Sequence, residues 1–205
     1  MVDFIAVASE SKYGDIFLID LYTGLRQSEI LGLTWDCVSF ETGVITVRAQ
    51  LQREKKRGGK YYLTSLKNDK TRYVAAAPTV IDLLRKRKEK QDSERETALD
   101  LWYEPIPGLV FENEFGGFLS HTTIRKHFKR VVNKIGMPES RFHDLRHSFA
   151  VLCIESGIDV KTVQDSMGHH SSAFTLDTYG FVSQKMRTEC ALKMQRAIDS
   201  LTDKS

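Results

Sequence analysis

A chain of 205 residues and 23.4 kDa suits one domain with a sizeable buried core, so it needs no disulfide or metal staple to fold. Its three cysteines, Cys37, Cys153 and Cys190, are too few and too scattered for a disulfide framework. They form no Cys-x-x-Cys pair, and no apolar run approaches a membrane span or signal-peptide core, so a reducing, cytosolic setting is expected. The net charge of +3 is too small to name a partner by itself.

No internal repeat, low-complexity tract or Pro/Gly/Ser linker divides the chain. The first thirty-five residues read as helix, with Ile16, Phe17, Ile19, Leu21 and Tyr22 leading to a break at Gly24 and a short second helix carrying Ile30, Leu31 and Leu33. Strands are predicted from Val44, over Tyr61–Leu66 and over Tyr73–Ala77. The basic turn Lys55–Lys60 joins the first two, and Lys67-Asn68-Asp69-Lys70 joins the second pair into one small antiparallel sheet. Pro78-Thr79 opens a helix with Thr79 and Asp82 at capping-box spacing, and its mixed charges from Arg85 to Glu96 predict a solvated face. Ser120 caps a helix to about Ile135, with Gly136 beyond its end. Further helices are predicted over His143–Ser156, ended by Gly157, and over Val160–Met167, ended by Gly168. Met186, Cys190, Met194 and Ile198 form a last helical stripe, read first as a packing face. The expected fold is mainly α with a small antiparallel β-sheet.

The charge is unevenly spread. Residues 48–72 carry nine Lys/Arg against Glu54 and Asp69, a local +7, and residues 121–149 carry seven against Glu139 and Asp144, a local +5; the rest of the chain holds −9. Two basic segments on an otherwise acidic chain are what a polyanion-binding face requires, because neutralising phosphates and releasing their counterions drives nucleic-acid binding.

Four segments stand out together: Thr23-Gly24-Leu25-Arg26-Gln27-Ser28-Glu29-Ile30; Lys67 in the turn between strands; His143-Asp144-Leu145-Arg146-His147-Ser148-Phe149-Ala150; and Met167-Gly168-His169-His170, followed ten residues after His169 by Tyr179. In this order and spacing they resemble the catalytic domain of the tyrosine recombinases, the phage-integrase family, from about Ile16 to Val182. The resemblance implies the DNA breaking-rejoining catalytic fold and site-specific recombination, the integration or excision of a mobile element. Tyr179 would be the nucleophile, leaving a 3′-phosphotyrosyl link and a free 5′ hydroxyl, with Arg26, His143, Arg146 and His169 around the phosphate and Lys67 as acid to the 5′ oxygen. Glu29 takes the place of the carboxylate that buttresses an arginine, and Asp144 a structural place beside it. His170 stands where many members have a small polar residue, and a nine-residue count to the tyrosine would select it instead of His169. His169 is preferred because it follows Gly168 directly.

The chemistry can be argued beside the resemblance. Cleaving a phosphodiester without metal or water needs a nucleophile, neutralisation of the phosphorane's charge and a proton for the departing oxygen. Arginine suits the second task through its planar, always-charged fork. A phenol, with a pKa near ~10, needs a base or a strongly positive pocket, and His143 is the candidate for that help. Arg53, Lys55, Lys56, Arg57, Lys60, Lys70, Arg72, Arg125, Lys126 and Lys129 are expected to contact DNA. No metal or other cofactor is expected. The expected partner is double-stranded DNA, bound as a tetramer in the synaptic complex by a chain that is monomeric in isolation. The expected location is the bacterial cytoplasm, at the nucleoid, with no membrane contact.

Three rival readings remain at this stage. A type IB topoisomerase shares the chemistry, and a non-catalytic DNA-binding relative would keep only the basic face. A metal-dependent phosphohydrolase using His143, Asp144, His147 and His169-His170 would leave both arginines and the tyrosine unexplained. The chain starts only 25 residues before Arg26, so residues 1–205 are expected to be a single catalytic domain without the family's core-binding and arm-binding domains. Residues 183–205 form a C-terminal tail that is a candidate for exchange with a neighbouring subunit.

Overall fold

The segment Ile16-Phe17-Leu18-Ile19 is apolar on every side, and a helix of that composition must be surrounded. In the computed structural model, which describes residues 1–56, 58–66, 70–168, 192 and 194–196, it lies in helix α2 (Gly14–Thr23), buried along nearly its whole length. Before it comes α1 (Val2–Ser9) and after it α3 (Gln27–Leu31). Strands β1 (Val38–Ser39), β2 (Val44–Val47), β3 (Ala49–Arg53), β4 (Tyr61–Ser65) and β5 (Arg72–Ala75) follow, then helices α4 (Pro78–Ala98), α5 (His121–Lys134), α6 (Asp144–Glu155) and α7 (Val160–Met167). The chain divides into two compact units, Met1–Phe149 and Ala150–Ser205. No described helix is long and apolar enough to cross a membrane.

The core of the first unit is aromatic. Phe17 of α2 meets Phe128 of α5 at 5.6 Å and Phe142 at 6.0 Å; Phe128 meets Phe142 at 5.6 Å and Phe4 of α1 at 6.0 Å. Phe142 immediately precedes His143, so this cluster sets where α6 begins. Helix α5 turns Ile124, Phe128, Val131 and Val132 inward and leaves Arg125, Lys126, Lys129 and Arg130 exposed. As predicted, Ser120 caps it by accepting the Thr123 N–H at 3.0 Å. In the second unit Asp159 caps α7 through the Thr162 N–H at 2.9 Å, Val163 and Met167 are buried, and Gly168 ends the helix in the left-handed conformation.

Three expectations are corrected. The strands form two sheets, not one: β1-β2-β5 and a separate β3-β4 hairpin in which Leu51 faces Leu63. Strand β5 pairs with β2, placing Val74 opposite Ile45 with both buried, so β4 and β5 belong to different sheets and do not pair as a hairpin. Helix α4 has Ala77 at its N-cap and Pro78 at its first position, with no side-chain cap, because proline's fixed φ already starts the turn. Its charged stretch is not uniformly solvated. Arg87 is 5% exposed and donates to the carbonyls of Val110 and Glu112, and Gln91 is 7% exposed and donates to the Leu109 carbonyl. A loop that runs against a helix needs partners for its carbonyls, and long polar side chains supply them.

Candidate active site

The site is built on the turn after α2. Gly24 ends that helix at φ 63°, its N–H donating to the Asp20 carbonyl at 2.8 Å. A β-carbon there would lie 2.3 Å from the Phe149 ring, so glycine is required both by the backbone and by the approach of α6. The Gly24 carbonyl then accepts from Arg146 Nη1, which fixes this arginine of α6 against the turn that carries Arg26.

Arg26 is the N-cap of α3, with its side chain 39% exposed, and Glu29 stands three residues on with its side chain 2% exposed. Glu29 Oε2 accepts the Arg26 backbone N–H at 2.8 Å, and Oε1 accepts Arg26 Nη1 at 2.7 Å. From β5, Arg72 grips the same carboxylate with both terminal nitrogens, Nη1 to Oε1 at 3.0 Å and Nη2 to Oε2 at 2.6 Å. Arg72, one of the expected DNA contacts, has its side chain 10% exposed and bound to Glu29. The strand's two-residue alternation carries the signal, because Arg72 shares the inward face of β5 with buried Val74 while Tyr73 faces out.

Burial pushes the Glu29 carboxyl up, but the hydrogen bonds and charge of Arg72, then Arg26, prevail and hold it at about 2. Arg146 is 2% exposed; burial first, and then the Arg26 charge, bring its guanidinium down to about 9, still cationic at neutral pH. Asp20, 1% exposed with neither carboxylate oxygen hydrogen-bonded, has its pKa driven well above the ordinary value by burial, against the pull of Arg146. Among the described residues, the guanidinium groups of Arg26 and Arg72 bind the Glu29 carboxylate and Arg146 acts on it electrostatically, while burial opposes ionisation of Asp20. Guanidinium groups gathered in this way suit the binding of an anion.

His143 precedes α6, its ring edge-on to that of His147 at 4.8 Å. Burial, then His147 and Arg146, hold its pKa below the ordinary value, so the imidazole is neutral at pH 7 and able to accept a proton. Asp144, the first residue of α6, accepts the Arg141 backbone N–H at 2.8 Å and so ties down the turn that leads into the helix. Of the expected DNA contacts, Arg53, Lys55, Lys56, Lys60, Lys70, Arg125, Lys126 and Lys129 are exposed. Arg53 lies over the Tyr61 ring, which packs on Phe118 at 4.2 Å and ties the β3-β4 hairpin to the approach to α5. Arg57, Lys67, His169, His170 and Tyr179, and the Met186–Ile198 stripe apart from Met194, lie outside the described residues. Among the described residues, no group of three or more His, Cys, Asp or Glu could hold a metal ion.

The fold and this cluster define a class. Residues 4–186 match the phage integrase family, and the chain belongs to that family. Among its relatives, a XerC-like tyrosine recombinase of Caldanaerobacter subterraneus subsp. tengcongensis is 29% identical, the match covering 92% of this chain and 48% of that protein. The tyrosine recombinase XerA of Pyrococcus furiosus is 30% identical over 83% of this chain and 51% of its own length. The chain thus spans about half the length of these relatives. Among solved structures, the Tn1549 transposon integrase in complex with transposon right end DNA has a TM-score of 0.76 at 23% identity, covering 96% of this chain and 63% of that one. The catalytic domain of bacteriophage HP1 integrase has a TM-score of 0.58 at 21% identity, covering 94% and 89%.

The Glu29 pKa gives a signed expectation. Its folded value of about 2 lies below the ordinary 4.5, so the stability it contributes is complete above pH 4.5 and is lost as the pH falls towards 2. Glu29→Gln removes the carboxylate charge that Arg26 and Arg72 bind, a loss of roughly 3 kcal/mol, or on the order of 10 °C in Tm at pH 7. Thermal melts from pH 7 to pH 3 should show the gap between variant and wild type narrowing below pH 4.5. A gap that is constant with pH would refute the charge assignment.

Proposed function

We propose that this chain catalyses site-specific DNA strand cleavage and rejoining in the integration or excision of a mobile element, acting on double-stranded DNA in the bacterial cytoplasm, at the nucleoid. The observation that carries this reading is the Arg26–Glu29–Arg72–Arg146 cluster, with three guanidinium groups gathered at one buried carboxylate, in a chain of the phage integrase family. Tyr179 Oη attacks the scissile phosphorus and gives up its proton, with the neutral His143 as the base at hand. Arg26, Arg146 and His169 stabilise the charge that builds on the phosphorane. The bond to the 5′ oxygen breaks, and that oxygen takes a proton from Lys67. The phosphotyrosyl link conserves the energy of the broken bond, so a 5′ hydroxyl from a second DNA end reverses the step without ATP. Joining two DNA partners calls for four active chains, hence a tetramer in the synaptic complex.

The test is a duplex with a nick beside the cleavage position, from which the short 5′-hydroxyl strand diffuses away. A covalent protein–DNA adduct should accumulate, and peptide mapping should place the DNA on Tyr179. Failure to form an adduct on any family-type target duplex, with binding intact, would overturn the reading.

A further inference from the structure

Gln27 follows Arg26 directly and is held on the side away from Glu29. Its amide nitrogen donates to the His121 carbonyl at the start of α5 at 3.1 Å, and its amide oxygen accepts from Arg125 Nε at 3.0 Å. An amide fixed at its nitrogen end presents its oxygen in one direction, so Arg125 is clamped through Nε. The terminal nitrogens of this exposed guanidinium are then left for a paired contact, the geometry that suits phosphate. Gln27 and Arg125 open onto a cavity of about 400 Å³ whose lining includes Lys129, Arg141 and His143. Three of these side chains are cations and none is an anion. His143 lies three residues before Arg146, the α6 arginine that binds the Gly24 carbonyl beside Arg26. Gln27 and His143 thus bring this cavity next in the chain to Arg26 and close to Arg146.

We propose that Gln27 and Arg125 form a second phosphate site, in which Gln27 holds Arg125 by its Nε so that the fork grips a backbone phosphate next to the scissile one and sets the register of the strand on Arg26. The inference rests on the reading that DNA is the substrate. Charge complementarity selects the occupant: Arg141 is paired with Asp144 at 3.3 Å, whereas Arg125 and Lys129 have no carboxylate partner among the described ion pairs, and the neighbouring phosphate of a strand already seated on Arg26 arrives beside them with its position largely determined. Gln27 is a positioning residue here; Arg125 makes the contact.

The test measures equilibrium binding of a 30-base-pair duplex of arbitrary sequence against salt, with the chain in a Tyr179→Phe background to prevent reaction. Arg125→Ala should weaken binding about tenfold and lower the slope of log K on log salt by about one, the mark of one lost phosphate contact. Arg125→Lys keeps the charge but loses the fork, and should keep most of the slope while weakening binding several-fold. Gln27→Ala should weaken binding three- to tenfold, and the double variant Gln27→Ala/Arg125→Ala should bind no more weakly than Arg125→Ala. Additive losses in the double variant, or an unchanged slope in Arg125→Ala, would overturn the site and leave the function standing. No salt-dependent binding by the unaltered chain would bring down both. If Gln27→Ala lowers the melting temperature, Gln27→Glu serves in its place. It retains an acceptor for Nε but no donor for the His121 carbonyl, adds a negative charge beside the phosphate, and should weaken binding more than tenfold.

Discussion

Tyr179→Phe should form no covalent adduct on the nicked duplex, a loss of at least about 10⁴-fold in cleavage rate, while DNA affinity and melting temperature stay within error of wild type. The magnitude follows from the role: removing a nucleophile abolishes the chemical step and leaves only the slow attack of water. The selectivity follows from the size of the change, one oxygen removed with the ring retained. Should Tyr179 instead be a core tyrosine whose hydroxyl fills a hydrogen bond, the same substitution would lower stability by about 1 kcal/mol and leave cleavage intact. The two outcomes are opposite in both readouts. An adduct that persists in Tyr179→Phe would remove Tyr179 from the mechanism, and mapping its attachment point would name the residue to consider instead.

The helical part of the fold was legible from the sequence because its signals are local. Ser120, Gly136, Gly157 and Gly168 each act within one turn of the helix they start or end, and all four stand where they were expected. Strand pairing is not local. Nothing within β4 or β5 says that β5 lies beside β2; that is decided by Ile45 and Val74 burying one another across the sheet. The site divides in the same way. Arg26, Glu29, His143 and Arg146 sit in recognisable wording, whereas Arg72 reaches Glu29 across 43 residues of chain and reads as one more basic residue in a basic stretch. Asp20 had a signal, a carboxylate inside an apolar helix, whose meaning depends on Arg146 and Glu29 arriving beside it from other elements.

Asp20 bears on the electrostatics of the same cluster. Glu29 is needed to hold Arg26 and Arg72 in place, yet a second ionised carboxylate would cancel the charge that a phosphate is to meet. Burial without a hydrogen-bond partner raises the Asp20 pKa and so opposes that second charge. Structural order around Glu29 and electrostatic demand for an anion at Arg146 thus coexist within one small cluster.

Arg146 should be the most costly of the arginines to replace, because it serves both parts. It is buried, it binds the Gly24 carbonyl that shapes the Arg26 turn, and its charge is held against burial and against Arg26 and Arg72. Arg146→Ala should lower single-turnover cleavage by about 10³-fold or more, by analogy with the loss of one preorganised donor or one arginine at a transferring phosphoryl group. It should also reduce the melting temperature, since the Gly24 carbonyl loses a buried partner and a void opens under the turn. Arg146→Lys separates the two effects. It keeps a cation and most of the volume but cannot hold the Gly24 carbonyl and a phosphate oxygen with one planar fork. Its melting temperature should recover most of the loss while cleavage stays down by about 10²-fold. In both variants the cleavage rate at saturating DNA should fall more than affinity does, because the phosphorane carries a negative charge that the bound diester lacks. A rate per folded molecule within tenfold of wild type in Arg146→Ala, with folding checked by circular dichroism, would show that the cluster is structural and that the phosphate is bound elsewhere.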